Sequence, residues 1–137
     1  MSIIFTDPNI AVVGRAWSEL DPDRTVAAQR RFGPVGRAMI MGQNRGLIRV
    51  YADRKNRKIP GAAMVGARAW HLAHLLSWAI ESGMTVERAL GMPSCHPVIE
   101  EALQEVLHDL EKELSSGKEK PRYVFFRKAW GLSGAGA

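Results

Sequence analysis

Leu47-Ile48-Arg49-Val50-Tyr51-Ala52 and Ile59-Pro60-Gly61-Ala62-Ala63-Met64-Val65 flank the polar run Asp53-Arg54-Lys55-Asn56-Arg57-Lys58. Two apolar runs rich in β-branched and aromatic residues, joined by turn-forming residues, read as an antiparallel hairpin. Pro60 has no N–H to give a ladder, which places it at its strand's start or on an edge. Directly afterwards the period changes. Between Arg68 and Ser82 the apolar residues Ala69, Trp70, Leu72, Ala73, Leu75, Leu76, Trp78, Ala79 and Ile80 occupy nearly the whole circumference of a helix. Such a helix must be covered on most sides, and its tryptophans are expected in a core or a subunit interface.

Working outward, Ile3 to Phe5 and Ile10 to Val13 read as short strands around the turn Asp7-Pro8-Asn9, and Arg24 to Phe32 as a half-exposed strand. Arg37 to Met41 is expected to be a short helical turn. On the C-terminal side, Gly83 suits the C′ position that ends the long helix, and Thr85 the N-cap of a short helix reaching Leu90. Pro93-Ser94-Cys95-His96-Pro97 is a rigid loop. Ile99, Leu103, Val106, Leu110 and Leu114 then repeat at helical spacing, which predicts an amphipathic helix from about Pro97 to Leu114 with Pro97 in its first turn. The fold class is α+β: a two-layer arrangement of four to five antiparallel strands packed with helices. Residues 1–115 are read as one domain and 116–137 as a linker and tail. In that tail Tyr123 to Phe126 and Trp130 are expected to dock, with Tyr123 to Phe126 as a strand, and Gly134 to Ala137 to be disordered.

The 137 residues are 46% apolar, enough for a core in one domain, and no apolar run reaches the ~20 residues that span a bilayer. With no basic N-terminal region before an apolar stretch, the expectation is a soluble cytoplasmic protein without membrane association. A single cysteine, Cys95, leaves no redox pair and no internal disulfide; it is read as a small buried apolar residue. The formal charge of +5 is uneven, with a basic stretch from Arg15 to Lys58 and an acidic one from Glu100 to Glu113. A basic half can signal nucleic acid, but no aromatic-interleaved basic run accompanies it. A solvated face, or one meeting an acidic partner surface, is the simpler reading.

His96-Pro97-Val98-Ile99-Glu100-Glu101 places an imidazole in the loop before a helix and carboxylates in that helix's first turn. A carboxylate five residues on can accept from one ring nitrogen, fixing the tautomer and leaving the other nitrogen to exchange protons. Spacing alone favours a plain surface histidine near a helix start. His71 and His74 lie three apart on the long helix, but no carboxylate or thiol joins them at ligand spacing, so no metal site is read there.

The ordered series Phe5-Thr6-Asp7-Pro8, Ile10-Ala11-Val12-Val13-Gly14, Gly36-Arg37-Ala38, Gly46 to Tyr51, Gly61 to Gly66, and His96-Pro97 with Glu101 resembles the dimerisation domain of the dihydrolipoyl dehydrogenase and glutathione reductase family. The likeness runs from Ile3 to Leu110, and several separated motifs in order are more specific than one. The resemblance implies a homodimer and, in a parent enzyme, FAD and NAD(P) held by other domains. It implies that His96 reaches the partner's active site and exchanges a proton with a redox thiol, that Glu101 orients the imidazole, and that His96 and Pro97 contact flavin across the dimer. It implies a cis His96-Pro97 bond. Two positions depart from the family pattern: Val98 stands where Thr is usual, and Cys95 where an aromatic residue or alanine is common. Neither removes the acid/base pair. No Gly-x-Gly-x-x-Gly follows a strand, so this chain alone is expected to bind neither FAD nor NAD(P) and not to catalyse. A free-standing dimeric interaction module that has lost the chemistry is the alternative, and a basic RNA-binding domain a third.

Overall fold

The computed structural model describes residues 1–116. Five antiparallel strands, β1 (Ser2–Ile4), β2 (Asn9–Gly14), β3 (Thr25–Arg31), β4 (Gly46–Asp53) and β5 (Gly61–Gly66), form one sheet in the order β1-β2-β5-β4-β3. The helices are α1 (Gly36–Ile40), α2 (Ala69–Glu81), α3 (Val86–Leu90) and α4 (Glu101–Ser115), with a 3-10 turn at Trp17–Glu19. This is the expected two-layer α+β architecture. The expected tail strand at Tyr123 to Phe126 and the disordered end from Gly134 lie outside the described residues.

The core lies between one sheet face and the helices α2 and α4. Alternation along the strands sends Ala11, Val13, Val26, Ala28, Ile48, Val50, Ala52, Ala62 and Met64 into it. Leu72, Ala73 and Leu76 from α2, and Ala102, Val106, Leu107 and Leu110 from α4, meet them. Small residues on the strands let both helices approach closely. Gly66 makes room instead for an aromatic ring: a Cβ there would lie 2.4 Å from the fully buried ring of Phe32, which follows β3. Its cross-strand partner Gly46 has φ +115, a region open only to glycine, and a Cβ would stand 2.0 Å from the Val65 carbonyl oxygen.

Pro60 precedes β5, which is central and begins at Gly61. The missing donor therefore costs no ladder bond, and the Pro60 carbonyl accepts from the Arg15 amide at 3.0 Å. Gly83 ends α2 with φ +62, and the Thr85 hydroxyl accepts from the Arg88 amide at the start of α3, both as expected. The start of α4 differs. The helix begins at Glu101, so Pro97 is outside its first turn; the His96-Pro97 bond is cis, as is Asp7-Pro8. Val98 lies outside regular structure, and a turn at Ile99 and Glu100 leads into α4.

The β4–β5 turn is built on Asp53, whose Oδ1 accepts from the amides of Lys55 at 2.8 Å and Asn56 at 3.1 Å, while Oδ2 lies 2.7 Å from Arg24 Nε. Burial pushes this carboxyl's pKa up, but the two amides and the guanidinium outweigh it and hold it below the usual range. A depressed folded-state pKa contributes stability above the unfolded value and loses it as pH falls through the folded one. Asp53→Asn should therefore cost about 1–2 kcal/mol at neutral pH. In paired urea melts that difference should vanish once the pH lies below the carboxylate's folded-state range.

Candidate functional site

The loop between α3 and α4 presents His96. Its Nδ1 lies 2.8 Å from Glu101 Oε1, the imidazole side chain is 80% exposed, and Glu101 is 22% exposed. The same oxygen accepts from the Val98 amide at 2.9 Å, so the first residue of α4 folds back and is held from two sides. An ionised carboxylate only accepts, so the imidazole must carry its hydrogen on Nδ1. Nε2 is left with a lone pair at the surface. Chemically this is an oriented base with an open approach.

Around it Ser94, Cys95, Gln104, Glu105 and His108 line a shallow polar depression of about 380 Å³ with His96 and Glu101. Cys95 is exposed, contrary to the burial expected for it. Pro93 to Pro97 are all exposed, so this loop runs on the outside of the α3–α4 junction and a small apolar side chain there has no core to enter.

Glu100 is committed elsewhere: its Oε1 lies 2.9 Å from His71 Nε2, tying α4's start to α2. His74 Nδ1 instead lies 3.0 Å from the Trp70 carbonyl oxygen one turn earlier. The two histidines of α2 thus face different partners, and no metal-holding cluster occurs among the described residues. The His71–Glu100 pair was not foreseen, because residues 29 apart are joined only by the packing of α2 on α4.

Three arginines of the basic stretch meet acids within the chain. Arg30 Nε lies 2.7 Å from Asp109, Arg57 pairs with Glu111 at 2.8 Å and also with Glu87, and Arg24 pairs with Asp53.

Two apolar surfaces are uncovered among the described residues. On the sheet face away from the helices, Ile4, Ile10, Val65 and Leu47 are successive cross-strand partners and form a row across four strands. Arg49 stacks on Trp17, its Cζ 5.1 Å from the ring centroid, and Trp17 shields the buried Tyr51, so only this end of the face is capped. The second surface is a groove of about 830 Å³ between α2, α3, α4 and the Pro93–Cys95 loop. It explains why α2 is not covered on most sides: Trp78 at its rim is 69% exposed, and Trp70 is 37% exposed, so neither fills the core of this chain.

Residues 1–107 match the family model of the pyridine nucleotide-disulphide oxidoreductase dimerisation domain. Among curated proteins the chain is 36% identical over 106 residues to dihydrolipoyl dehydrogenase of Haloferax volcanii, covering 74% of this chain and 22% of that protein. It is 32% identical over 111 residues to the same enzyme of Pseudomonas aeruginosa, covering 76% and 23%. The chain thus spans less than a quarter of the length of these relatives. Among solved structures, LpdA of Mycobacterium tuberculosis superposes with TM-score 0.74 at 21% identity, over 80% of this chain and 24% of that one. The flavoprotein disulfide reductase RclA of Escherichia coli gives 0.68 at 18% identity, over 85% and 26%. Among the described residues no helix is long and apolar enough to cross a membrane. With the family model covering most of the described fold, the chain belongs to the dimerisation domain family of the pyridine nucleotide-disulphide oxidoreductases and is similar in sequence to dihydrolipoyl dehydrogenases.

Proposed function

We propose that this chain acts as the interface domain of a homodimeric disulfide oxidoreductase and lends His96 to the partner subunit's redox site as an acid/base. The observation that carries the reading is the His96–Glu101 pair, with Nδ1 held at 2.8 Å and the ring 80% exposed. When a dithiol forms a thiolate it sheds a proton, and an oriented imidazole Nε2 can take it and return it. His96 and Pro97 form the tip of the loop and are the residues assigned to contact flavin across the dimer.

FAD and NAD(P) are assigned to other domains. Every strand pairing among the described residues is antiparallel, which offers no strand–turn–helix crossover into a parallel neighbour for a dinucleotide pyrophosphate. The flavin would carry electrons between nicotinamide and disulfide; this chain's part is dimer contact and proton exchange. The row Ile4, Ile10, Val65 and Leu47 suits a partner domain or second copy, since apolar rows of this kind are ordinarily covered in assemblies. We place the domain in residues 1–115, where α4 ends, and assign 116–137 to a linker and tail. A cytoplasmic setting follows from the same reading.

The test is a chimera in which this chain replaces the dimerisation domain of the Pseudomonas aeruginosa dihydrolipoyl dehydrogenase. A yellow dimer with dihydrolipoyl dehydrogenase turnover is expected. A flavin-loaded protein that dimerises without turnover would favour a bare interaction module, and a monomer would remove the reading altogether.

A further inference from the structure

We propose that Arg57 is a positioning residue for the loop that carries His96, clamping the two helices that bracket it; this role rests on the proton-exchange reading of His96. The β4–β5 turn does not need the Arg57 side chain. Its own bonds close it: the Asp53 amide donates to the Lys58 carbonyl and the Arg57 amide to the Asp53 carbonyl, each at 2.9 Å. The Asp53 and Asn56 side chains accept from the amides of Lys55, Asn56 and Lys58. Arg57 nevertheless stands at φ +59, in the left-handed region that a residue with a Cβ enters at a cost and that glycine enters freely. The side chain, rather than the turn, therefore accounts for an arginine at this place.

That side chain joins two helices. Its Nε pairs with Glu87 of α3, and its Nη2 lies 2.8 Å from Glu111 Oε2 of α4. A guanidinium presents its donors in a fixed planar fork, so one cation holds both carboxylates in a set relation, which the point charge of a lysine does not. Helix α3 needs such a hold: five residues are too few to stand alone as a helix, and Val86 is its one buried residue. Its other ties run to the same turn, since the Val86 amide donates to the Arg57 carbonyl at 2.9 Å and Lys58 bridges Thr85. Helix α4 is a rod on which Glu111 stands about 15 Å along the axis from Glu101. Residues 91–100 hang between the ends of α3 and α4 and bury only Ile99, so they have little packing of their own. The relative placement of the two helices therefore decides where the His96 imidazole stands and whether Glu101 can hold it.

Arg57→Gly in the full-length chain tests this, because glycine suits the backbone of the turn while the clamp is lost. Amide hydrogen exchange across residues 86–98 should quicken by about three- to tenfold, the scale of two partly exposed ion pairs, with exchange in β4 and β5 unchanged. Nitrogen NMR of the imidazole should show His96 passing from the Nδ1–H form toward a mixture of tautomers, as the loosened loop releases Nδ1 from Glu101 part of the time. Arg57→Lys should restore only part of both readouts. Glu111→Ala should loosen the loop in the wild-type background and add nothing to Arg57→Gly, since the partner is already gone. Exchange that quickens equally in β4 and β5 would make Arg57 a residue of the turn alone and overturn the proposal. An unchanged loop, or an unchanged His96 ring, would overturn it as well. Both readouts are taken on the chain itself, so an inactive chimera beside a loosened loop would sink the proposed function and leave the clamp standing.

Discussion

In the chimeric enzyme, His96→Gln should lower disulfide turnover by about 10²–10⁴-fold, the range a positioned acid/base group supplies, with flavin content and dimerisation unchanged. Glutamine preserves the size and one hydrogen-bonding end of the side chain but cannot carry a proton at neutral pH. Because the ring is 80% exposed and packs on nothing in the core, the substitution removes chemistry rather than stability. Glu101→Gln should lose less: the amide oxygen can still accept from Nδ1 and from the Val98 amide, so the ring stays oriented. Glu100 is poorly placed to substitute, since it is held by His71. Rapid-mixing measurements should locate the loss in the thiol–disulfide half-reaction and spare flavin reduction by nicotinamide. Equal slowing of both halves, or no slowing, would leave His96 a structural residue of the turn.

The second large effect is on stability. Phe32 is fully buried and stands over Gly66, so Phe32→Ala empties a site whose floor is glycine backbone and cannot collapse inward. A loss of about 3–5 kcal/mol is expected, a large share of the 5–15 kcal/mol that holds a domain of this size together. Gly66→Ala attacks the same contact from the other side and should cost about 1–3 kcal/mol by forcing the ring away. The double variant should be less destabilised than the sum, because an alanine at 66 partly fills what the alanine at 32 vacates. Chemical denaturation of the four proteins gives the cycle; strict additivity would show that ring and glycine do not compete for the same space.

The sheet and its helices were legible because their signals are local. The β4–β5 hairpin, the caps at Gly83 and Thr85, and the 3.6-residue period of α4 each depend on residues near one another in the chain. What local pattern could not supply was exposure. The apolar circumference of α2 implied cover on most sides, yet Trp78 faces an open groove, because periodicity records which residues are apolar and not which molecule covers them. Cys95 was placed inside by residue type and lies outside by loop path. Pro97 was read both as a helix-starting residue and as the partner of a cis bond; the bond is cis, but α4 starts four residues later, at Glu101. Within the site, the His96–Glu101 pair was singled out by the family resemblance, since its spacing alone favoured a plain surface histidine, while His71–Glu100 needed the packing of two helices to exist at all.

The strand order carries a consequence for how the chain acquires this shape. Strands β3, β4 and β5 form a meander of neighbours, but β2 pairs with β5 across the whole of it, Asn9 opposite Gly66 and Gly14 opposite Gly61. The amino-terminal hairpin therefore has nowhere to attach until the last strand exists, and closing that long loop is an entropic cost met before its contacts are rewarded. Along the chain β1 and β2 precede β5, so Ile4 and Ile10 stand in water with open backbone edges until residues 61–66 have been made. The interval in which that apolar hairpin stands unpaired is thus set by topology, and it ends only once β5, the last strand among the described residues, has formed.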